Sequence, residues 1–127
     1  MICVDTSVWI AATRKPDSQR ATVLRSLLDS GEVALPLPVR IEFVAAAAKT
    51  QRRKLRRALA ALPLVVPTED TWREVERWTE SALDAGYSFG IPDLLIASLA
   101  NEIGGLVWSL DRDFVAMEKL GVVRLYD

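Results

Sequence analysis

Five carboxylates stand where they could do chemistry: Asp5, Glu42, Asp93, Asp111 and Asp113. Asp5 ends the apolar run Ile2-Cys3-Val4, which suits a strand buried on both faces. Thr6 and Ser7 follow, and their hydroxyls can cap the helix suggested by Val8, Trp9 and Ile10. A lone Asp at this point reads equally well as a helix N-cap or as a carboxylate on the ligand-binding edge of an α/β sheet. Glu42 shares a helix face with Pro38, Ala45 and Ala46, one turn from the helix start. Small alanines leave room for a group to approach it. A solvated Glu near the positive end of a helix is the plainer reading. Asp93 follows Pro92 in the first turn of a helix that is apolar almost all round. Asp111 closes the apolar run Leu106–Leu110, and Asp113 stands two residues on, where another helix starts.

The chain contains no histidine and one cysteine, Cys3. Imidazole bases, Ser-His-Asp triads, His-rich zinc sites and internal disulfides are thereby excluded. Acids brought together repel one another, and burial raises their pKa values further. A hard divalent ion removes that conflict. Oxygen ligands alone favour Mg²⁺ or Mn²⁺, as one ion or two. Mg²⁺ keeps several waters, and an activated one can attack a phosphodiester whose oxygens complete the coordination.

The surrounding elements must place these acids. A helix is expected over Gln19–Asp29, capped by Asp17 or Ser18 and stopped by Ser30-Gly31. A strand at Glu32–Leu35 follows. Pro38 then opens a helix running through Val39–Lys49. Leu64–Pro67 reads as a third strand, and Thr68-Glu69-Asp70 caps a long helix to about Ala85. Trp72 and Trp78 on it suit core or dimer contacts. Leu94–Ile103 is a buried helix ended by Gly104-Gly105. Leu106–Leu110 is a fourth strand, a helix runs to about Lys119, and Val122–Tyr126 is a last strand at an edge. This alternation implies a parallel sheet with helices on both faces. Right-handed crossovers bring strand ends of one sense to one edge, where Asp5 and Asp111 would meet. Glu42 and Asp93, in first turns of helices, are expected there too.

At 127 residues the chain is expected to be one domain, 1–127. Its apolar runs are too short to span a bilayer or are broken by proline, and Asp5 interrupts any leader, so a cytoplasmic location is expected. Residues 1–57 carry 11 Lys/Arg against 5 Asp/Glu, and the remainder 5 against 12. Such asymmetry suggests a polyanion-facing region beside an acidic one. Lys49, Arg52, Arg53, Lys54, Arg56 and Arg57 are its densest part. They read either as a solvated helix face over Leu55, Leu59 and Leu62 or as a phosphate-tracking patch.

Four segments in order resemble the PIN-domain ribonucleases, in particular the VapC-type toxins of type II toxin–antitoxin pairs. They are Val4-Asp5-Thr6-Ser7-Val8, Arg40-Ile41-Glu42, Pro92-Asp93-Leu94-Leu95-Ile96-Ala97-Ser98-Leu99-Ala100, and Ser109-Leu110-Asp111-Arg112-Asp113-Phe114. Ser109 stands where the family often has Thr. The resemblance covers essentially the whole chain. It implies a flavodoxin-like, three-layer α/β/α fold with a central, mainly parallel sheet. It implies a Mg-dependent endoribonuclease that hydrolyses RNA with an activated water, is commonly a homodimer, and is held inactive by a VapB-type antitoxin. By position, Asp5, Glu42, Asp93 and Asp111 would be the catalytic, metal-binding acids, with Asp113 a further ligand. Thr6 and Ser109 would orient them. Arg14, Lys15, Arg52, Arg53 and Arg56 would guide the RNA backbone.

The residues admit two other readings. A signalling receiver wants adjacent acids after its first strand and a Lys after a late one; here Thr6 follows Asp5, and no Lys follows Leu110 or Tyr126. A PIN-like module that binds RNA or a partner without cutting would not need the intact acid set.

Overall fold

Ile2, Cys3 and Val4 are all buried and form β1. They sit mid-sheet, which is why the run is uniformly apolar rather than alternating. The computed structural model describes residues 1–127. β2 (Val33–Pro36), β3 (Leu64–Val65) and β4 (Leu106–Trp108) complete a four-stranded sheet in the order β3-β2-β1-β4. Every pairing is parallel. The helices are α1 (Thr6–Arg14), α2 (Gln19–Asp29), α3 (Leu37–Ala46), α4 (Arg52–Leu59), α5 (Glu69–Asp84), α6 (Ile91–Glu102) and α7 (Arg112–Lys119). They flank the sheet in the three-layer α/β/α arrangement expected. A cluster of 25 buried apolar residues joins the layers.

The chain builds outward from β1 to β2 and β3, then returns past β1 to add β4. That reversal makes the gap beyond the ends of β1 and β4 a topological switch point, the usual ligand crevice of open α/β sheets. The Asp5 N–H donates to Trp108 O across it at 2.8 Å.

Local chemistry explains most boundaries. The Ser18 hydroxyl accepts from Ala21 N and caps α2. The α6 segment Leu94–Ala100 is buried at seven consecutive positions, as its apolar circumference requires. Gly105 then passes so close to the start of the chain that an added Cβ would lie 2.8 Å from Met1 O. Trp72 is exposed, whereas Trp78 packs against the core with the Arg77 guanidinium over its ring.

Five expectations need correction, the first being the third strand, which stops at Val65 and not Pro67. α3 ends at Ala46, not Lys49, because Ala47 turns extended. Alanine propensity favours continuing, but a straight helix would carry Leu55 and Leu59 away from the core they reach. The basic run therefore forms a 3-10 turn at Lys49–Gln51 and a separate α4. Glu42 is the sixth residue of α3, not in its first turn. The fourth strand stops at Trp108, so Ser109 and Leu110 belong to the loop before Asp111. Val122–Tyr126 is not a strand. It makes one parallel bridge, Leu125 to Val107, before the chain ends.

Candidate active site

Asp5 sits at the N-cap position of α1, yet its side chain caps no helical N–H. The Ser7 hydroxyl donates to Asp5 Oδ2 at 2.7 Å, and the Ser109 hydroxyl donates to the same oxygen at 2.7 Å. Two donors on one oxygen fix the carboxylate plane and leave Oδ1 available to a ligand. Asp5, only 6% exposed, is thus held by two hydroxyls and makes no capping bond. Nor do Thr6 and Ser7 cap. The Thr6 hydroxyl donates to Glu42 Oε1 at 3.2 Å.

Ser7 and Ser109 also tie the two strand ends together. Ser7 Oγ accepts from Leu110 N at 3.1 Å, and Ser109 Oγ accepts from Asp111 N at 3.0 Å. Asp111 in turn caps α7, its Oδ1 accepting from Asp113 N at 2.9 Å. A continuous chain of hydrogen bonds thus runs from Asp5 to Asp113. Thr6 and Ser109, the two hydroxyls named from the sequence, each donate to one of the acids, Thr6 to Glu42 and Ser109 to Asp5. Ser7 was read only as a capping hydroxyl. The signal that could have found it is its place in the first turn of α1, where helical side chains lean back toward the N-terminus and so toward Asp5.

Asp93 reaches the site by another route. It lies in the first turn of α6. The helix before it is α5, not a strand, and the Thr71 hydroxyl near the start of α5 bonds Glu102 at the end of α6. The two helices are therefore antiparallel, and α5 carries the chain back to the acid edge, where α6 begins. Asp93, Asp111 and Asp113 each offer a carboxylate oxygen within 4.8 Å of the others. Burial pushes the Asp93 pKa up from 3.8 to about 6, and the charges of Asp111, Asp5, Asp113 and Glu42 push the same way. The charges of the other four acids named from the sequence are thus all felt at Asp93. Three of the five are in mutual reach, and Asp5 and Glu42 are near enough to repel Asp93.

The basic residues named from the sequence sit at the far end of α1, just after it, and on α4. Arg14 ends α1, about 12 Å along the helix from Thr6 at 1.5 Å per residue. Lys15 follows it. Arg14 and Lys54 line an apolar groove of about 510 Å³ with Ile10, Phe43 and Leu55. Arg52, Arg53 and Arg56 are exposed on α4. None of these cations pairs with a carboxylate; every ion pair in the chain lies within α5. None is therefore in ion-pair reach of the acids of the site. Cys3 takes no part: burial pushes its thiol up to about 12. No helix is long and apolar enough to cross a membrane.

The PIN domain family model matches residues 2–120. Solved structures of similar fold include VapBC2 from Rickettsia felis bound to a DNA fragment from their promoter, at 18% identity and TM-score 0.77, covering 99% of this chain and 98% of that one. VapBC-5 from Mycobacterium tuberculosis is 26% identical with a TM-score of 0.64, over 97% of this chain and 94% of that one. VapC20 of the same organism, a Sarcin-Ricin loop cleaving toxin, is 19% identical with a TM-score of 0.66, over 91% and 94%. No curated protein shows a significant match.

Proposed function

The chain belongs to the PIN-domain family, and on that premise we propose that it is a metal-dependent endoribonuclease, the VapC-type toxin of a type II toxin–antitoxin pair. One observation carries the reading: the Asp93, Asp111 and Asp113 carboxylates lie within 4.8 Å of one another, beside Asp5 and Glu42. So much negative charge in one crevice is unfavourable without a counterion. The donor set is all oxygen, which fits Mg²⁺ or Mn²⁺ and not a soft metal. The Asp93 pKa, raised first by burial and then by the neighbouring carboxylates, supports the same fit, since a dication would favour the charged form against both.

Asp93, Asp111, Asp113 and Asp5 would hold the cation, with Glu42 completing the acid set. When bound, the cation supplies Lewis acidity that lowers the pKa of a water and offsets charge gained by a phosphodiester in its transition state. The protein's own groups do the rest. Ser7 and Ser109 hold the Asp5 carboxylate in one orientation. Thr6 holds Glu42. The Asp113 N–H on Asp111 Oδ1 restrains that carboxylate and leaves Oδ2 for ligation. Asp93, its carboxyl pushed up to about 6 by burial and by the neighbouring acids, can hold a proton in mildly acid solution when the site carries no cation.

Residues 1–127 serve as one PIN domain in this reading, and the substrate is cytoplasmic RNA. The exposed cations Arg14, Lys15, Arg52, Arg53 and Arg56 would steer its backbone. A VapB-type antitoxin is the proposed inhibitory partner, because similar structures are VapBC complexes. A homodimer is the proposed assembly. The groove between α1 and α4 offers a partner an apolar seat. Incubation of the purified chain with RNA in Mg²⁺, Mn²⁺ or a chelator tests the activity. Fragments that appear only with a dication are expected. RNA left full length under every condition, yet retained by the protein, would instead identify a binding module.

A further inference from the structure

Tyr87 and Phe89 stack in the loop that delivers Asp93. Their ring centroids are 5.6 Å apart and their planes 13° from parallel. Phe89 packs against the core, while Tyr87 is 39% exposed. The inner ring is anchored and the outer ring rests on it. The loop is pinned at both ends. Gly86, at φ 88°, closes α5, with its N–H on Leu83 O and the Tyr87 N–H on Ala82 O. Gly90 starts α6 and accepts from Leu94 N. Asp93 stands four residues beyond Phe89, in the first turn of α6. A preorganised aromatic pair therefore lies on the short loop that leads into the helix carrying Asp93. The other aromatic pairs differ: Trp9 and Phe43 are buried, and Trp108 and Tyr126 are tilted and half-buried.

We propose that Tyr87 is a positioning residue that stacks on a nucleobase next to the scissile phosphate, in a single-stranded or unpaired stretch of RNA. The inference rests on the ribonuclease reading above. Every base has a π-face, so a rigid exposed ring binds a base without needing a defined sequence. The basic helix α4 has no interleaved aromatic and can grip only phosphates, so bases need a second surface. A stacked base beside Asp93 would set the register in which the backbone crosses the acids. Phe89 contributes indirectly, by holding the Tyr87 ring.

The test uses the full chain carrying Asp93→Asn, so that RNA is bound and not consumed. The probe is a single-stranded oligoribonucleotide with 2-aminopurine at one position, moved along a series of otherwise identical strands. With Tyr87 present, emission should be quenched at a restricted set of positions. Tyr87→Phe should preserve the quenching. Tyr87→Ala and Tyr87→Leu should lose it and bind roughly tenfold more weakly, with unchanged melting temperature. In the Asp93 background, Tyr87→Ala should raise KM and broaden the choice of cleavage position while altering kcat less. Equal quenching and equal cleavage positions with and without Tyr87 overturn the stacking role and leave the nuclease reading standing. Absence of both binding and cleavage in every variant, Tyr87 included, overturns the nuclease reading and the stacking role with it.

Discussion

The Ser109 hydroxyl donates to Asp5 Oδ2 at 2.7 Å, joining residues 104 positions apart. The bond links the loop after β4 to the end of β1 and shares its acceptor with Ser7. Groups that orient metal ligands typically matter 10–100-fold for affinity or activity. Ser109→Ala is expected to lower cleavage and cation affinity by roughly tenfold, and the Ser7→Ala, Ser109→Ala double variant by roughly a hundredfold. Ser109→Thr keeps the hydroxyl and should stay near wild type. Steady-state cleavage together with a Mn²⁺ titration would measure all three.

Asp93 gives a pH dependence with a definite sign. Its folded-state pKa is raised from 3.8 to about 6. The stability it contributes to the metal-free chain is therefore fully present below about pH 4 and lost as pH rises through about 6. Asp93→Asn should remove that dependence. At pH 7 without metal the variant should be the more stable protein, by about 1 kcal/mol once solvent screening of a half-buried group is allowed for. Adding Mg²⁺ should reverse the order, because only the wild type gains from binding. Thermal melts at pH 4, 5.5 and 7, with and without Mg²⁺, would show it.

The cations of α4 predict a salt effect. Arg52, Arg53 and Arg56 are exposed and free of acidic partners. Replacing all three by Gln should weaken RNA binding and flatten the log–log salt dependence by about 2, at roughly 0.7 per single-strand phosphate contact. The acids remain, so cleavage at saturating RNA should change little. An unaltered salt slope would return α4 to the status of a solvated helix face.

Two core positions predict stability changes of opposite sign. The buried Ser98 hydroxyl has no hydrogen-bond partner. Ser98→Ala should stabilise the chain by about 1 kcal/mol without affecting cleavage. Gly105 passes Met1 O too closely for a side chain. Gly105→Ala should cost about 1–3 kcal/mol by pushing β4 from β1. Denaturant unfolding of the two variants would decide both.

The sequence was legible where physics is local. Ile2–Val4 reads as a covered strand, Asp17 or Ser18 as a cap, and Leu94–Ile103 as a buried helix; the strand and the helix form, and Ser18 is the cap. The acids were legible because Asp5 and Asp111 end apolar runs that parallel pairing brings to one edge. What the sequence hid was tertiary. No local pattern shows that Ala47 must turn so that Leu55 and Leu59 reach the core. None shows that α5 and α6 pair antiparallel and so bring Asp93 to the acid edge. Ser7 and Tyr87 were visible as residues, but their roles exist only through contacts with Asp5 and Phe89.

Titration of the metal-free protein with Mn²⁺ at pH 7, read by calorimetry or by electron paramagnetic resonance, tests most directly whether these acids form one cation site. The wild type should bind one or two ions, with affinity falling below about pH 6 as Asp93 takes up its proton. Asp93→Asn and Asp111→Asn should each weaken binding at least tenfold while remaining folded. A folded wild-type chain that binds no Mn²⁺ at pH 7, or Asn variants that bind it as tightly as wild type, would contradict the account.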